Sequence, residues 1–310
     1  MPDQTGKVMV VTGANSGLGL ASTQALAAKG ATVVMGCRDE GRAEAAVATV
    51  KAAVPAARLE VRALDLASLT SVARFAAEVC AQHPRLDALV NNAGVMALPR
   101  ALTKDGFETQ LGTNHLGHFA LTLRLLPALE AAQAPRVVTV ASNAHRWGRV
   151  AFDDLMGERR YAPWAAYGQA KLANLLFAYE LERRLRASGC KTLSLAAHPG
   201  YAATNLQGVG PRLTGSRLGA WLMKAGNALL GMSPEQGALP QLYAATSPEA
   251  HGGEYYGPDG LLEFFGWPKR VDSNKASKDE EVAGRLWEAS EELTHVSWPA
   301  SVEARPAALP

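Results

Sequence analysis

Six short apolar runs alternate along this chain with five longer stretches rich in alanine and leucine. The runs are Val8–Val11, Ala31–Met35, Leu59–Ala63, Ala88–Val90, Arg136–Val140 and Thr192–Ala196. Between them lie Leu20–Lys29, Arg42–Ala53, Ser68–Gln82, Phe119–Ala132 and Tyr167–Ala187. Runs that are apolar at every position read as strands covered on both faces, and strands alternating with helices argue for a parallel sheet. Right-handed crossovers then lay helices on both sides of it. The expected fold is α/β, a single doubly wound domain with a mainly parallel sheet and helices on both faces. A further short strand near Gly253–Tyr256 closes the sheet. Beyond about Gly260 the pattern decays into Trp267-Pro268 and a polar stretch, before a last amphipathic segment, Glu280–Leu293. Residues 1–260 are therefore expected to form the catalytic domain, with 261–310 a C-terminal extension packing on it and the end from Trp298 a loose tail.

With 310 residues, 48% hydrophobic and 19% charged, the chain suits one large core rather than several small ones. A net charge of +2, spread along the chain, excludes a nucleic-acid surface. Cys37, Cys80 and Cys190 are few, odd in number and far apart, which points to a reducing, cytoplasmic setting. The first apolar run is too short for a signal sequence, and no window approaches eighteen apolar residues, so no transmembrane segment is expected. His115 and His118 have no third ligand in view, and no metal is expected.

Thr12-Gly13-Ala14-Asn15-Ser16-Gly17-Leu18-Gly19 joins the first strand to the first helix. Glycines there permit a tight turn, and the helix N-terminus offers free N–H groups to a pyrophosphate. A Rossmann-type dinucleotide site follows, with Gly13, Asn15, Ser16, Gly17, Leu18 and Gly19 as its phosphate-binding residues. The second strand ends at Cys37-Arg38-Asp39. An acidic residue at the strand end would select NAD, whereas the Arg38 guanidinium suits a 2′-phosphate, so NADP(H) is favoured over NAD(H). Asp39 opposes that reading if it, rather than Arg38, faces the ribose.

Tyr167 and Lys171 are four residues apart, on one face of a helix. An ammonium beside a phenol stabilises the phenolate and brings proton exchange toward neutral pH. Other polar motifs fall in order around this pair: Asp65-Leu66 after the third strand and Asn91-Asn92-Ala93-Gly94 after the fourth. Asn114 follows in Thr113-Asn114-His115-Leu116-Gly117-His118-Phe119, then Ser142 after the fifth strand, and Pro199-Gly200 with Thr204 after the sixth.

This series resembles the short-chain dehydrogenase/reductase family over nearly the whole chain. The stretches Asn114–Phe119 and Tyr167–Asn174, the long interval between Ser142 and Tyr167, and the ending Leu286–Thr294 are most similar to the retinol dehydrogenase, WW-domain oxidoreductase and protochlorophyllide reductase branch. The resemblance implies that Tyr167 is the general acid in reduction and the base in oxidation. Lys171 would lower its pKa and hold the nicotinamide ribose, Ser142 would hydrogen-bond the substrate oxygen, and Asn114 would order a water linking Lys171 to solvent. Asp65 and Leu66 would meet the adenine, Asn91, Ala93 and Gly94 the adenine-ribose side, and Pro199, Gly200 and Thr204 the nicotinamide end. The resemblance also admits a homodimer.

The function expected is interconversion of a carbonyl and an alcohol by hydride transfer. A hydrophobic small-molecule substrate is expected from the apolar stretch Leu206–Met232, with Trp147, Trp164, Trp221 and Met223 as further candidates for its wall. Reduction of a C=C bond and a non-catalytic NADP-binding role are the alternatives.

Overall fold

The computed structural model describes residues 1–201 and 232–302. Eight strands form one sheet: β1 (Val8–Thr12), β2 (Thr32–Cys37), β3 (Arg58–Ala63), β4 (Ala88–Asn91), β5 (Arg136–Val140), β6 (Leu193–Ala197), β7 (Tyr255–Pro258) and β8 (Pro268–Arg270). Their spatial order is β3-β2-β1-β4-β5-β6-β7-β8, parallel throughout except for the final β7–β8 pair. The order reverses direction between β1 and β4, and in open α/β sheets ligands bind beyond the strand ends at such a point.

Helices are α1 (Gly17–Ala28), α2 (Glu40–Ala53), α3 (Leu69–Gln82), α4 (Thr109–Leu111), α5 (Gly117–Glu130), α6 (Pro163–Ala187), α7 (Pro234–Gly237), α8 (Leu239–Thr246) and α9 (Glu280–Thr294). Successive strand residues point to opposite faces, which divides the core in two. Met9, Val11, Val33 and Met35 pack with α1, α2 and α8, while Val10 and Val34 pack with α3, α5 and α6. Every residue of β5 is buried, Arg136 and Thr139 included.

The segment after residue 260, expected as an extension packing on the domain, contributes to its sheet and core as far as the described residues run. Strand β8 continues the main sheet through Tyr256–Arg270 pairing, and Trp287 of α9 lies in the core with its ring 5.0 Å from that of Phe119 and 6.0 Å from that of Phe177. Pro268-Lys269-Arg270 has the composition of a protected sheet edge, a proline followed by two charges, and so carries no strand signal in sequence. Helix α6 starts one turn earlier than its periodicity suggests, because Pro163 occupies the first turn, where its missing N–H has no partner to lose.

Candidate active site

A cleft of about 400 Å³ opens where the sheet order reverses. Its floor is the turn between β1 and α1. Gly13 has φ of 65°, and a Cβ on Gly19 would lie 2.2 Å from the Gly13 carbonyl oxygen, so only glycine lets α1 start this close to the strand. Helices α2 and α3 are capped by the side chains of Asp39 and Ser68, whereas α1 has no side-chain cap and no acidic residue in its first turn. Its N-terminal N–H groups are free to receive an anion, as a pyrophosphate cradle requires. Gly13, Asn15, Ser16, Gly17, Leu18 and Gly19 all line the cleft.

At the next strand end, Asp39 lines the cleft together with Arg38 and caps the following helix. Its carboxylate accepts the Arg42 N–H at 3.0 Å, capping α2, and pairs with the Arg42 guanidinium at 3.5 Å. Arg38 lines the cleft and makes no ion pair among the described residues, and Arg42 lines the cleft beside it, a second cation that the sequence reading missed. Asp65 and Leu66 are in the wall. One Asp65 oxygen accepts the Ala67 N–H, and the other pairs with Lys104 at 3.2 Å.

Asn91 does not line the cleft with its side chain. It is buried and donates to the Thr122 hydroxyl at 2.9 Å. The neighbouring Asn92 lines the cleft instead, tied to the Thr12 carbonyl and to Gln241. Strand alternation decides this, since adjacent residues at a strand end face opposite ways. Ala93 and Gly94 line the cleft as expected.

The four expected catalytic residues come from three elements. Asn114 sits in a π-helical turn, Gly112–Leu116, in which the Gly117 N–H reaches the Gly112 carbonyl five residues back. The Asn114 side chain is fully engaged: Oδ1 accepts the Val95 N–H at 2.8 Å, and Nδ2 donates to the Val95 carbonyl at 2.9 Å. A Cβ on Gly94 would lie 3.1 Å from Asn114 Oδ1 and 3.8 Å from Lys171 Nζ, so these residues converge on one glycine. Ser142, two residues beyond β5, caps the 3₁₀ turn Asn143–Trp147, its Oγ accepting the Ala144 N–H. That turn abuts α6 through two glycines. A Cβ on Gly168 would lie 2.9 Å from the Trp147 ring, and one on Gly148 would lie 2.3 Å from the Gly168 carbonyl. The turn that Ser142 caps is thereby held against the first turns of α6, which carry Tyr167.

Tyr167 and Lys171 are both buried, with Lys171 Nζ 5.8 Å from the Tyr167 ring centre. Burial pushes the phenol up to about 12, which the hydrogen bond with Ser142 partly offsets, and burial brings the ammonium down to about 8. In the protein alone, therefore, desolvation outweighs the lowering expected for the phenol from its lysine neighbour.

Pro199-Gly200 follows β6, with Gly200 in the left-handed region at φ of 67°. A Cβ there would lie 2.6 Å from the Phe264 carbonyl, and the Tyr201 N–H donates to that same oxygen at 2.9 Å, so the β7–β8 hairpin braces this turn. Thr204, Trp221, Met223 and most of Leu206–Met232 lie outside the described residues. Trp164 and Trp147 are 47% and 58% exposed, and the Trp164 ring stands edge-on to Tyr167 at 6.2 Å. No group of three metal-binding side chains occurs among the described residues.

A family model described as short chain dehydrogenase matches residues 7–210. Retinol dehydrogenase 13 of Homo sapiens is 41% identical over 304 residues, covering 97% of this chain and 88% of that protein. Polyprenol dehydrogenase of Mus musculus is 42% identical, covering 95% and 85%. Among solved structures, an uncharacterised protein from Mycobacterium paratuberculosis superposes with a TM-score of 0.80 at 45% identity, covering 96% of this chain and 97% of that one. A protein from Beutenbergia cavernae, assigned as an NAD(P)-dependent gluconate 5-dehydrogenase and holding NADP at low occupancy, gives a TM-score of 0.62 at 25% identity, covering 82% and 95%. The chain belongs to the short-chain dehydrogenase family, and it is an oxidoreductase of the retinol dehydrogenase type.

Proposed function

We propose that this short-chain dehydrogenase is an NADP(H)-dependent enzyme that interconverts a lipophilic alcohol and its carbonyl, with Tyr167 as the proton donor in reduction. The observation that carries this reading is the packing of the Ser142 turn against the Tyr167 end of α6, with Lys171 one helical turn behind, beside a cleft whose floor is an uncapped helix N-terminus. The uncapped α1 N-terminus would hold the pyrophosphate, and Arg38 with Arg42 the 2′-phosphate. When bound, the dinucleotide supplies or accepts the hydride. Ser142 fixes the substrate oxygen by donating to it, and Tyr167 delivers its proton to that oxygen as negative charge builds there. The Lys171 ammonium stabilises the phenolate left behind.

The lipophilic character of the substrate is supported by the half-exposed Trp147 and Trp164 beside Tyr167, and by relatives named for retinol and polyprenol, both lipophilic alcohols.

The test is NADPH oxidation against a panel of long-chain and isoprenoid aldehydes and ketones, repeated with NADH. Tyr167→Phe should lower kcat by about two orders of magnitude or more, the range of a lost general acid. Full activity in that variant would remove Tyr167 from the role. Arg38→Ala combined with Arg42→Ala should raise KM for NADPH and leave KM for NADH unchanged, and equal response to both cofactors would sink the 2′-phosphate assignment.

A further inference from the structure

His118 is buried and touches neither the cleft nor Tyr167, yet both of its ring nitrogens are engaged. Nδ1 lies 3.0 Å from the Asn114 carbonyl oxygen. A carbonyl can only accept, so Nδ1 carries the hydrogen. Nε2 lies 2.9 Å from the Thr12 hydroxyl oxygen. That oxygen already accepts two N–H groups, from Asn92 and Ala93, each at 2.9 Å. Its lone pairs are used, so its own hydrogen points outward, and Nε2 is nearer than the alternative acceptor, the Val90 carbonyl at 3.4 Å. The imidazole is therefore neutral and in one tautomer, a donor at Nδ1 and an acceptor at Nε2. Burial holds it there by pushing its pKa down to about 4.

The two partners belong to different parts of the site. Thr12 organises the Asn92-Ala93 turn, and Ala93 packs against Gly13 in the cleft floor. Asn114 clamps Val95 and faces Gly94 and Lys171. We infer that His118 is a positioning residue that locks the cofactor turn to the Asn114–Lys171 side, with Nε2 serving the cofactor and Nδ1 serving proton delivery. The inference rests on the proposed function for its proton-delivery half only.

Asparagine and glutamine separate the two nitrogens. The amide of asparagine reproduces the Nδ1 donor, and the amide oxygen of glutamine reproduces the Nε2 acceptor. His118→Asn should raise KM and Kd for NADPH about tenfold while kcat holds, and His118→Gln should lower kcat about tenfold while NADPH affinity holds, the scale of one hydrogen bond lost. Thr12→Val, which also takes the acceptor from the Asn92 and Ala93 N–H groups, should weaken NADPH binding by more than His118→Asn while kcat holds, and Thr12→Ser, which keeps the hydroxyl, should rescue it. These threonine variants keep the test decisive if a histidine variant does not fold. NADPH Kd is read by fluorescence titration, without turnover. If the wild-type protein binds NADPH but turns over no carbonyl or alcohol, the proposed function fails, and the cofactor half of the inference still stands or falls on Kd. Parallel changes in both histidine variants, a reversed split, or loss of melting temperature with unchanged kinetics would each overturn the assignment.

Discussion

The Lys171 ammonium donates to the Val140 carbonyl oxygen at 2.9 Å, although Tyr167 lies one turn away on the same helix. The same carbonyl accepts Asn174 Nδ2 at 3.1 Å. Among the described residues Lys171 is thus a buried cation with no carboxylate partner, and its ammonium is held at the Val140 end of β5. Its burial disfavours the charged form and so opposes folding.

Replacing that charge should stabilise the protein. Lys171 has its pKa brought down from 10.5 to about 8 by burial, which corresponds to roughly 3 kcal/mol against the folded state at neutral pH. The unfolded chain binds the extra proton between about pH 8 and 10.5, so this penalty is complete below pH 8 and is relieved as pH rises through that window. Lys171→Met leaves the Val140 carbonyl bonded to Asn174 and should raise the melting temperature by several degrees at pH 7 while abolishing turnover. Thermal melts of both proteins at pH 7 and pH 10 check this, and a gain that does not shrink at the higher pH would disprove the buried-charge account.

The same shift sets a pH limit on reduction. The Tyr167 phenol, pushed up to about 12, stays protonated and able to donate across the physiological range. The Lys171 ammonium loses its proton near pH 8, and with it the stabilisation of the phenolate formed on proton transfer. The kcat for carbonyl reduction should therefore be level below about pH 8 and fall above it. Alcohol oxidation, which needs the phenol as base, should gain with rising pH instead. A reduction rate that keeps rising from pH 8 to pH 10 would contradict these assignments.

The strand-and-helix alternation made the fold legible, because fully buried parallel strands write unbroken apolar runs. The candidate catalytic residues were legible because Tyr167 and Lys171 share one helix face and Ser142 follows a clear strand. Features written by side-chain direction or by contacts between distant segments were not. Arg42 reaches the cleft because Asp39 caps α2, and Asn92 replaces Asn91 because of the orientation of a strand end. His118 is defined by partners at positions 12 and 114, and no local pattern records that meeting. Strand β8 is an edge, where charges and proline replace the usual apolar signal.

Gly19 should be intolerant of even one methyl group. A Cβ there would stand 2.2 Å from the Gly13 carbonyl and 2.7 Å from Asn92 Nδ2, both parts of the cleft floor. The first is backbone and the second is an amide tied to the Thr12 carbonyl, so α1 must move away from the turn, carrying its N–H groups out of line. Gly19→Ala should weaken NADPH binding at least tenfold by fluorescence titration. Gly284→Ala, where a Cβ meets nothing within 4 Å, is the control and should bind normally.

The segment beyond residue 260 should prove indispensable to folding. Trp287 is 2% exposed and fills the space between Phe119 of α5 and Phe177 of α6, with the Arg184 guanidinium 4.4 Å over its ring. Helix α6 carries Tyr167 and Lys171, so this packing supports the active-site helix from behind. Trp287→Ala leaves a large cavity and should cost about 3–5 kcal/mol, read as a lowered denaturation midpoint with an unchanged slope. If residues 280 onward formed only an appended layer, a chain ending at residue 279 would keep its cooperative transition. Because α9 contributes Trp287 and Leu286 to the buried core, that truncated chain should instead be insoluble or melt without cooperativity.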